Sequence, residues 1–318
     1  MARLPDSDGL TGAGLLIVDK PGGLTSHDVV ARCRKLLNTR KVGHAGTLDP
    51  MATGVLVLGV ERATKMLGLL SLTTKAYSAT IRLGLASTTD DAEGELLGGS
   101  DTSGLTAAAL TQALATLTGA IQQVPATVSA IKVDGQRAHV RVRAGEQVDL
   151  PARTVTVSQL RVCSQRRATT AEGRSVLDLD VDVECSSGTY VRALARDLGA
   201  ALEVGGHLTA LRRTRVGCFS LAQAQTLTQL AEHPVVSLDL DGAVRAAFPT
   251  RAVSAEEAES ISQGRWLDPV GIDGVYAAID PTDHAVALLE ESGGRARTVM
   301  VVRPATLRAE HLAKHHPV

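Results

Sequence analysis

The sequence is poor in aromatic residues, paired cysteines, long apolar runs and net charge. Its 318 residues include two phenylalanines, three tyrosines and one tryptophan. The four cysteines form no C-x-x-C pair, so the pattern predicts neither a zinc site nor a disulfide framework, and it fits a reducing compartment. No run approaches the roughly 18 apolar residues of a membrane span, and the first residues lack the apolar segment of a signal peptide. We therefore expect a cytoplasmic protein that does not bind membranes.

One glycine-rich stretch, residues 43–54, carries the clearest chemical signal. It reads GHAGTLDPMATG and leads into the apolar residues 55–58. Proline keeps the residue before it out of the helical region, so Asp49 is expected on extended or turning backbone. The glycines allow close approach of backbone to backbone or to a ligand. A buried strand after this loop would hold the Asp49 carboxylate rigidly, as a reactive group requires.

By itself this stretch permits several interpretations. The glycine spacing matches neither the dinucleotide fingerprint nor the P-loop, and no Lys-Ser or Lys-Thr follows the last glycine. A metal site built on His44 and Asp49 would need more ligands at compatible spacing, and none is nearby, so we predict no metal. The plainest interpretation is a turn in which Asp49 only caps the backbone.

The surrounding sequence favours a catalytic interpretation. The stretches HAGTLDP (44–50) and ATGVL (52–56) resemble the signature of TruB-type tRNA pseudouridine synthases. The resemblance continues in order over roughly residues 10 to 220. Its other segments are LLIVDKP (15–21), KAY (75–77), DAEG (91–94), SGTYVR (187–192) and HLTALRR (207–213). One motif would be suggestive, whereas an ordered set is highly specific for the family.

The resemblance implies a fold and a reaction. The fold is α+β, the pseudouridine synthase fold, with a mixed, mostly antiparallel sheet, flanking helices and a central RNA-binding cleft. The reaction converts uridine to pseudouridine at position 55 in the T arm of tRNA. It requires base flipping and exchange of the C1′–N1 bond for a C1′–C5 bond, and no cofactor is expected. Asp49 would be the catalytic carboxylate, acting covalently at C1′ or as a base at the ribose, and both routes stay open.

The resemblance also assigns roles around Asp49. Arg192 would pair with Asp49 and keep it ionised. Tyr77 would stack on the flipped uracil, and its hydroxyl could take part in proton removal from C5. His44 would help to extrude the base and contact the flipped nucleotide. The remaining assignments are substrate contacts at Tyr190, Leu211, Lys20, Arg212 and Arg213, and structural supports at Pro21, Gly46 and Asp91. Lys20, together with Pro21, is also expected to buttress the active-site loop.

Basic residues are clustered although the net charge is only −1. Between Asp28 and Asp49 there is no acidic residue but five basic ones: Arg32, Arg34, Lys35, Arg40 and Lys41. A second cluster contains Arg212, Arg213 and Arg215. Either cluster alone could be a solvated face. Beside a loop that carries a reactive aspartate, both predict phosphate contacts with a local stretch of RNA.

Local patterns predict several elements. A helix should begin after Thr25 or Ser26, either of which can cap it. The strand predicted over 176–185 places its four acidic residues outward, as a solvated face. A further helix is predicted over residues 190–198, with Gly199 as its stop.

We place a catalytic domain at residues 1–249, including an RNA-gripping loop over about residues 122–153. A small β-rich, PUA-like C-terminal domain would occupy residues 250–318. There Ser254 and Glu257 form a capping box for a helix that ends at Gly264, and three strand candidates follow. A packing extension without RNA contact would produce the same pattern.

The runner-up function is a non-catalytic RNA-binding or tRNA-folding protein on the same scaffold. The presence of Asp49, Tyr77 and Arg192 argues against it. Action on targets bound to a guide RNA is disfavoured because the chain is short and lacks long basic tails. We expect a monomer whose partner is the T-arm stem-loop of tRNA.

Overall fold

The computed structural model describes residues 9–126, the strand residues 132–133 and 136–137, and residues 150–306. The predicted RNA-gripping loop therefore lies mostly outside the described residues. The strands are β1 (Gly14–Lys20), β2 (Val42–Ala45), β3 (Thr53–Val60), β4 (Lys75–Leu83), β5 (Ala86–Ser87), β6 (Leu96–Gly98), β7 (Gly119–Gln123), β8 (Lys132–Val133), β9 (Gln136–Arg137), β10 (Arg153–Thr169), β11 (Ser175–Cys185), β12 (Gly206–Val216), β13 (Phe219–Ser220), β14 (Leu238–Asp239), β15 (Thr250–Ala252), β16 (Val275–Ile279), β17 (Ala285–Ser292) and β18 (Arg295–Val301). The α-helices are α1 (Ser26–Leu36), α2 (Leu67–Ser71), α3 (Ala107–Thr116), α4 (Val191–Ala201), α5 (Leu227–Glu232), α6 (Leu240–Ala247) and α7 (Ala255–Ser262), and 3₁₀ turns cover Glu61–Met66 and Leu221–Gln223.

The main sheet has the order β14-β1-β3-β12-β4-β11-β10-β7, with β2 beside β3 and β13 beside β12. All of these pairs are antiparallel except β3 with β12. That parallel contact is short, joining Arg212 to Thr53 and Arg213 to Gly54. It connects two antiparallel halves of the sheet, so the prediction of a mixed, mostly antiparallel α+β fold is confirmed.

A second sheet, β15-β16-β17-β18, begins at residue 250. One of its faces shares a buried apolar core with β1 and β3, through Ile279 and Leu288 against Leu15 and Val57. Its other face packs on α7 through Ile261. The predicted capping box of Ser254 and Glu257 is present at the start of α7. The strand β15 and the helices α5 and α6 were not predicted.

Helix α1 shows which of two candidate residues caps it. Thr25 is the N-cap, because its hydroxyl accepts from the Asp28 backbone N–H and the Asp28 carboxylate accepts from the Thr25 backbone N–H. Ser26 is instead buried against the glycine-rich loop. Of the two candidate N-cap residues, Thr25 caps the helix, and the Ser26 side chain supports the glycine-rich loop instead.

Helix α4 corrects the prediction that Gly199 stops it. The helix continues to Ala201, and Gly199 lies inside its last turn. A Cβ atom on Gly199 would lie 2.2 Å from the backbone nitrogen of Gly206, at the start of β12. Glycine is required there for close packing of helix on strand and not for ending the helix.

The acidic residues of β11 form an ion-pair ladder on the face that was predicted to be solvated, and the side chains of Asp180, Asp182 and Glu184 are 34–45% exposed. Asp178 pairs with Arg82 of β4, Asp180 and Asp182 pair with Arg166 and Arg161 of β10, and Glu184 pairs with Arg215 of β12, one strand beyond β4. Cross-strand pairs of opposite charge stabilise a sheet. Because Arg215 belongs to this ladder, an RNA phosphate would have to compete with Glu184 for it.

Among the helices of the described ranges, none has the length and apolar character needed to cross a membrane.

Candidate active site

The site lies where the two halves of the main sheet meet. Tyr77 of β4 is the register partner of Arg213 of β12, and Arg213 is the partner of Gly54 of β3. Gly54 has a φ of +98°, and a Cβ there would lie 2.2 Å from the Arg213 carbonyl oxygen, so only glycine permits this contact. A cavity of about 250 Å³ opens beside this row. It is lined by Gly46, Thr47, Leu48, Asp49, Ser71, Lys75, Tyr77, Gly188, Thr189, Tyr190, Val191, Arg192, Leu211 and Arg213.

Three buried side chains fix the backbone on both sides of Asp49. Arg213 donates to the carbonyls of Gly46 (3.1 Å), Thr47 (3.2 Å) and Val55 (2.7 Å). The Ser26 hydroxyl accepts from the Leu48 N–H at 2.8 Å and donates to the Leu48 carbonyl at 3.1 Å. Lys20 donates to the Pro50 carbonyl at 3.1 Å. The backbone of the loop is therefore held at positions 46, 47, 48 and 50, which fixes the point from which the Asp49 side chain faces the cavity.

This placement contradicts two predicted substrate contacts. Lys20 has no exposed surface, and its ammonium donates to three carbonyls, those of Pro21, Leu24 and Pro50. Arg213 is 1% exposed and its guanidinium is likewise committed to carbonyls. Neither can reach a phosphate, because a buried cation gives up its partners only at a cost of several kcal/mol. Both residues support the catalytic loop.

Arg212 lies on the opposite side of β12 from Arg213, as alternation along a strand requires. Its side chain is 40% exposed and pairs with Asp19 through two contacts of 2.7 and 3.0 Å. Arg212 is thus accessible to RNA, although a phosphate would have to compete with Asp19.

Arg192 links two carboxylates from different parts of the chain. Its Nε lies 3.0 Å from Asp49 Oδ2 and its Nη2 donates to Asp49 Oδ1 at 3.2 Å. Its Nη1 lies 3.2 Å from Asp91 Oδ2 and donates to the Thr89 carbonyl at 2.9 Å. Arg192 is only 4% exposed. The planar fork of arginine can make this two-sided contact, whereas an ammonium could not.

Asp49 combines access to the cavity with a perturbed pKa. A third of its side chain remains exposed (34%). Burial in the cleft raises the pKa of Asp49, the charge of Arg192 opposes that rise, and the neighbouring Asp91 adds to it. A carboxylate with an elevated pKa is a better nucleophile and a better base than an ordinary aspartate, provided that Arg192 keeps it ionised.

Tyr77 forms one wall of the cavity and is almost fully buried. Burial raises the pKa of its hydroxyl, against a smaller opposing effect of Arg213. A phenol with a raised pKa stays protonated at neutral pH and is a poor base. The ring lies in the cavity wall, a position that suits stacking on a base, and proton removal by the hydroxyl stays a prediction.

The other predicted contacts fall into two groups. Leu211 and Tyr190 line the cavity, and the guanidinium of Arg153 lies 5.5 Å from the centre of the Tyr190 ring. His44 is on β2, outside the residues that line the cavity, with its ring 5.8 Å from that of His27. Burial lowers the pKa of His44, so the imidazole is neutral at pH 7.

The three predicted supports lie behind the catalytic groups. Asp91 is 2% exposed and also accepts from the Thr89 hydroxyl (2.5 Å) and the Glu93 N–H (3.0 Å), so it holds Arg192 from the side opposite Asp49. Gly46 has a φ of +83°, which allows the loop to turn toward Arg213. Pro21 contributes its carbonyl to Lys20 at 2.9 Å.

Sequence reasoning missed three residues of the site. Ser26 was considered only as a helix cap. Lys75 lines the cavity, is 6% exposed, and donates to the carbonyls of Ser71 (2.5 Å) and Thr73 (2.6 Å). Gln123 has no exposed surface and bonds to the backbone of Tyr190. Lys75 lies within a quoted motif, so its position was a signal, but nothing in the sequence marks Gln123.

A second concavity, of about 270 Å³, lies between α3 and the strands β10 and β11. Its lining contains a single charged residue, Arg167, whose guanidinium donates to the carbonyl of Thr102. It has no acid–base groups, so the cavity beside Asp49 is the better candidate. In the described part of the chain no group of three or more His, Cys, Asp or Glu side chains could hold a metal ion.

Comparison with solved structures defines the fold. The structure titled "Crystal Structure of a Cbf5-Nop10-Gar1 Complex" matches with a TM-score of 0.69 and 26% identity, over 95% of this chain and 88% of that one. The structure titled "Structure of H/ACA RNP bound to a substrate RNA containing 2'-deoxyuridine" matches with a TM-score of 0.66 and 24% identity, over 95% and 89%.

Sequence comparison then gives the family. Residues 34–191 match the model of the TruB family pseudouridylate synthase N-terminal domain, residues 192–243 the tRNA pseudouridylate synthase B C-terminal domain, and residues 248–303 the tRNA pseudouridine synthase II C-terminal model. A protein of Rhodococcus jostii named tRNA pseudouridine synthase B is 70% identical, over 96% of this chain and 99% of that protein. One of the same name from Nocardia farcinica is 68% identical, over 92% and 94%. The chain belongs to the TruB family of pseudouridylate synthases, as its motifs predicted.

Proposed function

We propose that this protein isomerises uridine to pseudouridine at position 55, in the T arm of tRNA. The observation that carries the proposal is the Asp49 carboxylate, clamped by Arg192 and facing a cavity whose wall is Tyr77. The high identity to proteins named tRNA pseudouridine synthase B supports tRNA as the substrate class. No feature of the site favours a purely RNA-binding protein, because such a protein has no need of a clamped carboxylate.

The mechanism begins with extrusion of the target base. C1′ and C5 of a stacked uridine are out of reach, so the nucleotide must flip into the cavity, where Tyr77 stacks on the uracil and Leu211 and Tyr190 line its surroundings. At about 250 Å³ the cavity is smaller than most ligand pockets, which span roughly 300–1,000 Å³, and suits a single nucleoside.

Asp49 then acts at the ribose of the flipped nucleotide. Either its carboxylate attacks C1′ and displaces N1 of the uracil, or it removes a ribose proton so that the glycosidic bond breaks by elimination. In both routes the uracil then rotates while enclosed. In the first, C5 attacks C1′ and releases the Asp49 carboxylate; in the second, C5 adds to C1′ while the ribose carbon takes back its proton from Asp49. Loss of the C5 proton completes both routes. Arg192 holds the carboxylate ionised and oriented before it reacts, with no change in redox state and no phosphate transfer.

The partners and compartment follow from this activity. The protein would act as a monomer on the T-arm stem-loop, in the cytoplasm, where its tRNA substrates are. Of the two basic clusters, Arg212 and the α1 residues Arg32 and Lys35 are exposed and available for phosphate contacts. We assign residues 1–249 to catalysis, with residues 122–153 as the RNA-gripping segment.

We further assign the C-terminal module, residues 250–318, to RNA binding. Trp266 is 48% exposed, and the guanidinium of Arg295 lies 4.2 Å from the centre of its ring. Leu267 pairs with Ala296, which brings Trp266 opposite Arg297 at the edge of β18. Among the described residues, no carboxylate lies within ion-pair distance of Arg265, Arg295 or Arg297, whereas most arginines of the main sheet are paired. An exposed indole beside unpaired guanidinium groups suits stacking on an unpaired base.

The test is tritium release from [5-³H]uridine-labelled tRNA transcript, with wild type beside Asp49→Asn. Wild type should release tritium, and the release should vanish from a transcript lacking the single T-arm uridine. Asp49→Asn should lose more than about 10²-fold in rate while retaining tRNA binding, because the carboxylate performs chemistry and does not dock the RNA.

Asp283→Asn is the matched control, because Asp283 is an exposed aspartate in the turn between β16 and β17, and its rate should equal that of wild type. Tight tRNA binding by wild type without any release would refute the enzyme and favour the RNA-binding function. Turnover by Asp49→Asn at the wild-type rate would refute the role of Asp49.

A further inference from the structure

Gln123 occupies an unusual position for a glutamine. It is the last residue of β7 and has no exposed surface. Its side-chain Nε2 donates to the Tyr190 carbonyl at 3.1 Å, and its Oε1 accepts from the Tyr190 N–H at 2.8 Å. The amide thus pairs with one residue through both of its polar atoms, as a neighbouring strand would. Buried amides are rare unless satisfied in this way.

Tyr190 needs such a partner because it stands at the start of α4. The first N–H groups of a helix have no acceptor inside the helix, and Tyr190 as N-cap makes no side-chain cap bond. Gln123 supplies an acceptor to the Tyr190 N–H from a different part of the chain, 67 residues away. Arg192, which pairs with Asp49, lies two residues after Tyr190 on α4. The backbone that Gln123 holds therefore also determines the position of the Arg192 side chain.

The contacts around this pair converge on the same residue. Arg153 is the register partner of Gln123 across β7 and β10, and its guanidinium lies over the Tyr190 ring. The next residue, Val124, gives its carbonyl to Arg196 of α4 at 2.7 Å, and Arg196 pairs with Asp90 at 3.1 Å. The end of β7 is therefore joined to the first turns of α4 at three points, on the side of the cavity that Tyr190 lines.

We infer that Gln123 is a positioning residue for catalysis: it holds the Tyr190 wall and the start of the Arg192 helix in the geometry that the reaction requires. The inference rests on the proposed isomerase function. Gln123 lies at the start of the segment assigned to RNA gripping, but its side chain is fully buried and does not line the cavity, so we do not assign it a substrate contact. Its loss should therefore lower kcat while leaving KM and tRNA affinity nearly unchanged.

Two substitutions separate positioning from simple stability. Gln123→Met fills the same space without hydrogen bonds, and we expect kcat to fall roughly 10- to 100-fold, the loss typical of a catalytic group displaced by about 1 Å. Gln123→Glu restores the pairing only when its carboxyl is protonated, since the neutral acid offers one donor and one acceptor whereas the carboxylate has no donor. Its kcat relative to wild type should therefore recover as the pH is lowered, and that of Gln123→Met should not.

The matched control is Gln112→Met. Gln112 is an exposed glutamine of α3 and lies outside the segments assigned to RNA binding, so its kcat should stay within twofold of wild type. Should Gln123→Met not fold, the pH-dependent recovery of Gln123→Glu alone decides the matter.

Three results would overturn the inference: an unchanged kcat for Gln123→Met, a loss confined to KM, or the same pH dependence for Gln123→Met and Gln123→Glu. Inactive wild type would instead overturn the proposed function, so the two failures are distinguishable.

Discussion

Arg212 and Arg213 are neighbours with the same side chain, and the structure predicts opposite consequences for their loss. Arg213 is almost completely buried and donates three hydrogen bonds to carbonyls of the catalytic loop and β3. Arg212 is 40% exposed and pairs with Asp19. Replacing each in turn by methionine keeps an unbranched, though shorter, side chain and removes the charge.

The magnitudes follow from burial. Hydrogen bonds from a charged donor contribute about 1.5–3 kcal/mol each, and three are lost with Arg213, while removal of a buried cation recovers part of its desolvation cost. We expect Arg213→Met to lower the free energy of unfolding by about 3–5 kcal/mol. The half-exposed pair of Arg212 with Asp19 is worth about 1 kcal/mol or less.

The assay is urea unfolding followed by circular dichroism, beside turnover and tRNA binding at several salt concentrations. With slopes of roughly 1–3 kcal/mol per molar urea, Arg213→Met should shift the midpoint by about 1 M or more, and Arg212→Met by far less. Because Gly46 and Thr47 lose their anchor, turnover by Arg213→Met should fall roughly 10²-fold. Its salt dependence of binding should match wild type, since its guanidinium reaches no phosphate.

Two outcomes would refute this reasoning. Equal stability losses for the two variants would mean that the burial of Arg213 does not determine its role. A salt slope for Arg213→Met that is flatter by about one ion would place its guanidinium on the RNA, as the sequence alone predicted.

Two further predictions concern the pH profile and the C-terminal module. Burial raises the pKa of Asp49 and lowers the pKa of Lys20 to about 8. Turnover should therefore rise with pH as Asp49 ionises, and fall above about pH 8 as Lys20 loses the proton that makes its third hydrogen bond. The pKa of Lys75 is also about 8, so loss of the alkaline decline in Lys75→Met would assign that decline to Lys75 instead. Trp266→Ala should raise the tRNA Kd about tenfold without changing kcat, because one base–aromatic stack contributes roughly 1–3 kcal/mol. The control is Val270→Ala, since Val270 is also exposed, and equal Kd values for the two variants would refute RNA contact at Trp266.

The sequence predicted the reactive groups better than the groups that hold them. Asp49 and Arg192 lie 143 residues apart, yet their motifs allowed their pairing to be predicted. Support of the loop by Lys20 was expected beside its predicted substrate contact. The roles of Arg213 and Gln123 depend on which backbone carbonyls and amides lie within hydrogen-bond distance of them, and no spacing in the sequence encodes that. For Arg213 the missing information was the face of β12 on which its side chain lies, because the pairing register of β12 shifts on both sides of residues 211–213.

The fold likewise separates features that a local sequence pattern predicts from features that depend on tertiary contacts. Strand β11 was predicted from clean alternation over residues 176–185, since one face is buried and period two survives in the sequence. Gly199 was interpreted wrongly because glycine occurs near a helix end for two reasons: it ends the helix in a left-handed conformation, or it allows another backbone to approach closely. The two look alike in sequence. Only the position of Gly206 against it distinguishes them.

The buried charges around the cavity explain how a protein of net charge −1 can attract RNA to one place. Four cations (Lys20, Lys75, Arg192 and Arg213) surround or line the site, against three carboxylates, Asp49, Asp91 and the nearby Glu93. Their mutual repulsion contributes to the lowered pKa values of Lys20 and Lys75, since Arg213 acts on both. Buried charges are screened by salt much less than surface ones, so this positive excess persists at physiological ionic strength. The surface arginines of β10 are neutralised by the β11 ladder, so the cavity and the exposed face of α1 remain as the attractive region. The cations that hold the catalytic loop in place thereby also favour entry of a phosphate-bearing nucleotide, although none of them needs to contact it.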